Sequence, residues 1–173
     1  PLLESHFGTG RGQSRAPVAP RVPAAPPVTR REIVIVDKPG AAQSEVRIGQ
    51  VGVARDTPDY FAITVANTIL GGAFTSRLNQ NLRETHGYTY GARSGFDMRR
   101  APGPVVAAAA VQTDKTAESV REFFNEFAAM QKPVPAEELA KARNYLAFGY
   151  PGEFEPTGEV AANLAALFVY GLP

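Results

Sequence analysis

The chain has 173 residues, of which 44% are hydrophobic and 20% charged, so it has room for one globular domain with a real core. A net charge of +1 excludes the strongly basic surface typical of nucleic-acid binding, and zero cysteines exclude disulfides and thiolate chemistry. The longest apolar run, "VVAAAAV" (105–111), is far shorter than the roughly 20 residues that a membrane-spanning helix needs.

Residues 1–30 are rich in proline, with five between Pro17 and Pro27. Proline favours extended backbone and lacks an amide donor, so this stretch is predicted to be a lead-in or linker from a preceding domain. A disordered tail is the alternative. Residues 31–173 are predicted to form a single α+β domain.

Nine segments have the patterns of regular secondary structure. In chain order they are predicted strands over 31–40 and 44–55, helices over 57–72 and 76–85, strands over 88–96 and 105–113, and helices over 113–130, 135–149 and 157–173. Strand pairs followed by groups of helices predict an α+β two-layer sandwich, with a mostly antiparallel sheet and helices packed on one face.

Local signals add detail within one strand and at the ends of three helices. Gly49-Gln50 suggests a slip or bulge in the second strand. Thr57 and Ser76 are suited to cap the first two helices, and Gly71-Gly72 to end the first. Adjacent acids at 137 and 138 fit the positive end of a helix, where they complement its dipole.

A metal site within the chain is not expected. The two histidines, His6 and His86, are 80 positions apart, and neither lies in an H-x-x-E-H or H-E-x-x-H motif. Zinc sites usually take at least three protein ligands. The chain also lacks a G-x-S-x-G nucleophile motif and a G-K-[ST] phosphate-binding loop.

Arg83 and Tyr90 are the candidate catalytic and substrate-binding residues. They are seven positions apart, with Gly87 between them, so a helix-to-strand reversal would let both side chains point to the same side. Both could donate hydrogen bonds to a carbonyl oxygen on which negative charge builds up, as half of a composite site. An exposed helical arginine and a cross-strand aromatic are the alternatives that these residues leave open.

The stretch "LGGAFTSRLNQNLRETHGYTYGARSGF" (70–96) resembles the zinc peptidases of the inverzincin clan, including pitrilysin, insulinase and the mitochondrial processing peptidase. The matching pattern is L-G-G, S-R-L, L-R-E, a glycine and a later tyrosine, which falls on Tyr90. "VDKPGAAQSEVRIGQ" and the terminal "YGLP" also match, so the resemblance runs from about residue 31 to the end. It is closest to bacterial two-subunit or tandem-domain relatives.

The resemblance implies α+β domains that close around an unfolded peptide. One half carries H-x-x-E-H and zinc, and the other supplies an arginine and a tyrosine, here Arg83 and Tyr90. This chain lacks H-x-x-E-H and therefore resembles the second half. The resemblance assigns no role to His86 or Tyr88, and it implies that the family's domain continues beyond "YGLP", so the chain is expected to be a truncated domain.

The expected function is therefore the substrate-binding, transition-state-stabilising half of a zinc metalloendopeptidase that acts on peptides. Alone it is expected to be inactive, with no cofactor of its own, and its partners would be a homologous H-x-x-E-H-bearing domain or subunit and an unfolded peptide. The relatives favour a heterodimer and a periplasmic address. The alternative is a non-catalytic structural subunit or a peptide-binding module of the same fold.

Overall fold

The computed structural model describes residues 28–172 and three isolated residues before them, Ser5, Pro23 and Pro26. Most of the predicted lead-in, residues 1–30, therefore lies outside the described residues. None of the helices in the described part is both long and apolar enough to cross a lipid bilayer.

The described residues contain a three-stranded antiparallel sheet in the order β1-β3-β2, formed by β1 (Gln43–Val51), β2 (Thr89–Phe96) and β3 (Pro104–Gln112). β3 is central because it pairs with β1 on one side and with its hairpin partner β2 on the other. Successive side chains alternate between the two faces. The face that includes Val46, Ala92 and Ala109 is buried, while the opposite face is open and carries Arg47 and Arg93.

The helical elements are four α-helices and two π-helical segments within the described part of the chain. In order they are α1 (Tyr60–Asn67), the first π segment (Thr68–Gly72), the second π segment (Asn79–Thr85), α2 (Thr116–Ala129), α3 (Ala136–Gly149) and α4 (Thr157–Tyr170). Short 3-10 turns precede α2 (Thr113–Lys115) and α4 (Tyr150–Phe154).

The core forms where helical side chains meet the buried face of the sheet. Leu78 lies immediately before the second π segment and Leu82 lies within it. Phe123 comes from α2. They pack on Val46, Ala92, Ala107, Ala109 and Val111 of the three strands. Because small alanines occupy the central strand, the bulky helical residues can approach it closely. The predicted α+β fold, an antiparallel sheet with helices on one face, is thereby confirmed.

Two details of the strand predictions are wrong. Residues 31–40 form no strand in the described structure: Ile33, Val34, Ile35 and Val36 are between 76% and 86% exposed and have no backbone partner. A β-branched run favours extended backbone, but a strand also needs a neighbouring strand to pair with. The predicted slip at Gly49-Gln50 is also absent, since β1 pairs with β3 in continuous register.

The irregularity lies in β2 instead. The register with β3 shifts between Thr89 and Ala92, which leaves Tyr90 and Gly91 in a bulge. The Thr89 hydroxyl stabilises this bulge by donating to Ala110 O at 2.6 Å, and its oxygen accepts from Gly91 N at 3.2 Å. The bulge therefore sets the direction of the Tyr90 side chain.

The predicted helix ends are partly right. The predicted helix 57–72 begins as an α-helix at Tyr60, changes to π geometry at Thr68 and ends at Gly72, as the two glycines indicated. Thr57 does accept a hydrogen bond from Asp59 N at 3.3 Å. The prediction that Ser76 caps the next helix is wrong, because its hydroxyl is buried without a hydrogen-bond partner.

Candidate functional site

Arg83 lies in the second π segment, where burial of Asn79 and Leu82 fixes the orientation of the helix. Its guanidinium carbon is 4.5 Å from the centre of the Phe74 ring, a cation–π contact. Its Nε is 3.5 Å from Glu84 Oε1, and the side chain is 34% exposed. Such contacts are weak and partly solvated, so most of the guanidinium donors remain available to a ligand.

A tight turn carries the chain from Arg83 into β2. Gly87 has a φ of 65°, in the left-handed region that glycine adopts without strain. Gly87 N donates to Arg83 O at 3.0 Å, and Tyr88 N donates to Leu82 O at 2.9 Å. Because Tyr90 is three positions after Gly87, its backbone lies within about 10 Å of this turn.

Tyr90 lies on β2 and is 90% exposed. Its hydroxyl has no hydrogen-bond partner within the described structure. The side chain borders a shallow cavity of about 240 Å³ on the open face of the sheet, together with Glu45 and Arg93. A phenol in this position can donate to a ligand that lies on the open face.

Two asparagines fasten the helical layer to the outer edge of β2. Asn79 Oδ1 accepts from Ala92 N at 2.8 Å, and Asn67 Oδ1 accepts from the Ser94 hydroxyl at 2.7 Å. Asn67 Nδ2 also donates to Ser94 O at 3.2 Å. These bonds satisfy an otherwise unpaired strand edge and fix the distance between the π segments and β2.

No contact joins Arg83 to Tyr90 among the described residues, and the prediction that both side chains point to the same side stays untested. Arg83 belongs to the helical layer and contacts Phe74 and Glu84, whereas Tyr90 belongs to the open face. The two side chains share no neighbour among these contacts. Their joint action on one ligand therefore stays a prediction.

Arg77 and Glu138 form a two-point ion pair that joins the helical layer to α3. Arg77 Nε donates to Glu138 Oε1 at 2.7 Å and Nη2 donates to Oε2 at 2.6 Å. These hydrogen bonds raise the pKa of Arg77 and hold the pKa of Glu138 below its usual value, with burial opposing both shifts. The dipole role expected for Glu138 is therefore secondary to a specific pairing with Arg77, which sequence reasoning missed.

Asn81 links the second π segment to α2. Its Nδ2 donates to Glu122 Oε2 at 3.0 Å and to Glu126 Oε1 at 2.7 Å. Hydrogen bonds from Asn81 and then Asn125 lower the pKa of Glu122. The segment that carries Arg83 is thus held from two sides, by Asn81 towards α2 and by Asn79 towards β2.

His86 and Tyr88 stack on each other, with ring centres 4.9 Å apart and planes 19° from parallel. His86 is exposed, as a surface histidine would be, and the sequence signal gave neither residue a site role. In the described residues, no group of three or more His, Asp or Glu is arranged to hold a metal ion.

The chain matches the family model described as the peptidase M16 inactive domain over residues 1–146. An uncharacterized zinc protease of Mycobacterium tuberculosis is 32% identical over 120 residues, which cover 69% of this chain and 27% of that protein. The crystal structure of a peptidase M16 inactive domain from Pseudomonas fluorescens is 30% identical, with a TM-score of 0.71, over 77% of this chain and 32% of the other.

A protease from Helicobacter pylori has a similar fold, with a TM-score of 0.69 at 20% identity, over 79% of this chain and 33% of the other. At this identity the likeness shows the fold alone. The chain thus spans about a third or less of the length of these relatives.

Proposed function

Because this chain belongs to the peptidase M16 inactive-domain family, we propose that it is the substrate-binding, transition-state-stabilising half of a zinc endopeptidase that acts on unfolded peptides. The metal chemistry would belong to a homologous partner half that carries H-x-x-E-H, on the same parent chain or on a second subunit of a heterodimer. Zinc proteases among the relatives support a zinc-bearing partner.

The observation that carries this proposal is the exposure of Tyr90. A phenol that is 90% exposed and has no polar partner in the described structure makes no visible contribution to packing. This exposure leaves the hydroxyl available to donate to a peptide that lies on the open face. An active-site role for Tyr90 would make use of this exposed hydroxyl.

Arg83 would supply the second donor. Its stacking on Phe74 and its 3.5 Å ion pair with Glu84 are each worth on the order of 1 kcal/mol or less. A peptide that offers a charged or strongly polar oxygen can therefore compete for the guanidinium. Arg83 and Tyr90 would then donate to the carbonyl oxygen, or to the neighbouring peptide backbone, as negative charge develops.

The alternative is a structural or peptide-binding member of the same family without a catalytic contribution. Such a member would need neither Arg83 nor Tyr90 for turnover. The two readings therefore differ in one measurable quantity, the cleavage rate of the reconstituted complex.

The test uses a quenched-fluorescent, unstructured peptide. The chain alone should not cleave it, and the chain together with its zinc-bearing partner should. Arg83→Ala should lower the turnover of the complex by about 100- to 1000-fold, because one oxyanion donor is lost. Arg121→Ala, which removes an exposed arginine from α2, is the matched control and should leave turnover unchanged. Equal turnover by both variants would contradict the proposal.

A further inference from the structure

The open face of the sheet carries the described cavity of about 240 Å³, and the function proposed above uses only Tyr90 from it. The remaining polar residues along its wall are Gln43, Glu45, Thr89 and Arg93, and alanines of β3 form its floor. Charged residues beside an alanine floor leave room for a ligand group between them. The charged residues that line this cavity, Glu45 and Arg93, have no role in the function proposed above.

The strand register places two arginines across the floor from each other. Ala108 of β3 pairs with Arg47 on β1 and with Arg93 on β2, so all three project from the same face. Neighbouring strands are about 4.8 Å apart, so the two arginine Cα atoms are separated by about 10 Å. A side chain as small as that of Ala108 does not fill the space between them.

The two arginines differ in their partners. Arg47 Nη2 lies 3.2 Å from Glu45 Oε1, so its charge is already compensated. Arg93 is exposed and makes no ion pair, side-chain hydrogen bond or ring contact with any residue in the described part of the chain. It is therefore an uncompensated cation at the wall of the cavity, on the same strand and the same face as Tyr90.

We infer that Arg93 binds a carboxylate of the peptide that lies against Tyr90, which gives the site a preference for acidic substrates. The planar guanidinium offers five donors and matches a carboxylate with two parallel hydrogen bonds. The carboxylate could come from an Asp or Glu side chain or from the peptide's C-terminus. This inference rests on the proposed function, because it assumes that a peptide occupies the open face beside Tyr90.

The experiment measures the affinity of this chain for fluorescein-labelled, unstructured peptides by fluorescence anisotropy. One pair of peptides differs only by Glu or Gln at a central position, both with amidated C-termini. A second pair contains the Gln sequence with a free or an amidated C-terminus. These pairs separate a side-chain carboxylate from a terminal one.

The acidic member of at least one pair should bind about threefold to fivefold more tightly at low salt, as expected for a partly exposed ion pair. Salt at about 0.5 M should remove most of this preference. Arg93→Gln should abolish the preference for the acidic peptide. Arg121→Gln makes the same charge change on α2 and should retain the preference, with circular dichroism confirming that both variants are folded.

Three results would overturn the inference in different ways. If peptides bind but Glu and Gln, or free and amidated termini, are not distinguished, Arg93 is not a carboxylate site while the proposed function stands. If Arg93→Gln and Arg121→Gln weaken the preference equally, the preference depends on the net charge of the chain and not on Arg93. If no peptide binds at all, the inference and the proposed peptide-binding function fail together.

Discussion

Arg77 and Arg83 are six positions apart in the chain, yet the contacts of their side chains suit them to different roles. Arg77 has both of its hydrogen-bonding edges occupied by Glu138 and is only 17% exposed. Arg83 makes one loose ion pair and one ring contact and remains half-buried. A paired, largely covered arginine stabilises the fold, whereas a loosely held one such as Arg83 can respond to a ligand.

The Arg77–Glu138 pair gives a direct test of stability. Glu138→Gln should lower the free energy of unfolding at pH 7 by about 1–2 kcal/mol, because a charged hydrogen-bonded pair is lost. The pKa of Glu138 is depressed in the folded state, so its contribution is present above the unfolded value near pH 4.3 and is lost as the pH falls through the folded pKa. The stabilities of both proteins, measured by urea unfolding, should therefore converge only once the pH falls below the depressed, folded-state pKa of Glu138.

Glu137→Gln is the matched control, since Glu137 lies in the same first turn of α3 and is exposed. It should change the free energy of unfolding by no more than about 0.5 kcal/mol. If the two variants were equally destabilised, a helix-dipole effect rather than the ion pair would be responsible.

The sequence was sufficient to select Arg83 and Tyr90 as candidates but not to describe their surroundings. Their motif is local, so a single stretch of chain contains both. The partner of Arg77 is 61 positions away, and the neighbours of Tyr90 lie on three strands. Contacts between distant segments depend on how the elements pack, which no local pattern records.

The first π segment is tied to β2 through a glycine contact. A Cβ added at Gly71 would lie 2.6 Å from Ser94 Oγ, so the segment can approach the strand only because this position has no side chain. The same contact places Asn67 within hydrogen-bonding distance of Ser94. The L-G-G motif therefore holds the helical layer against the strand that carries Tyr90.

Gly71→Ala should accordingly lower the free energy of unfolding by about 1–3 kcal/mol, through overpacking against β2. Gly95→Ala is the control on β2, the strand that Gly71 contacts, because a Cβ at Gly95 would meet nothing within 4 Å. Thermal unfolding of both variants decides the point. Equal melting temperatures would mean that the π segment can shift away from β2 without loss.

Element prediction succeeded where one segment contains its own signal. Helices α2 and α3 were located to within a few residues because their apolar period, first-turn acids and terminal residues all agree. It failed for residues 31–40, where β-branched residues favour strand backbone but pairing depends on another segment. It also missed the π geometry at Thr68–Gly72 and Asn79–Thr85, which follows from packing against β2 rather than from composition.

In the described part of the whole molecule, helices cover one face of the sheet and leave the other face open. The order of strands and helices in the sequence was enough to predict this two-layer α+β arrangement. The strand order β1-β3-β2 was not predicted, because β1 could have paired with either of the later strands. The open face is therefore a property of the assembled sheet, and the cavity beside Tyr90 is a consequence of it.

The unequal pairing of the extended segments should be visible in hydrogen exchange. Amides of residues 32–37 have no backbone acceptor within the described structure and should exchange within seconds. Amides of β3, the central strand, should be the most protected of the chain. Comparable protection of residues 32–37 and β3 would mean that the segment pairs with another strand.

Tyr90→Phe gives the most direct test of the proposed catalytic role. The substitution removes a single oxygen from a side chain that is 90% exposed, so the stability of the chain should not change. In complex with the zinc-bearing partner, kcat/KM for peptide cleavage should fall by about 100-fold, because one donor to the developing oxyanion is lost. A kcat/KM within about twofold of the unmodified chain, in a complex that still forms, would contradict the assignment of Tyr90 to the active site.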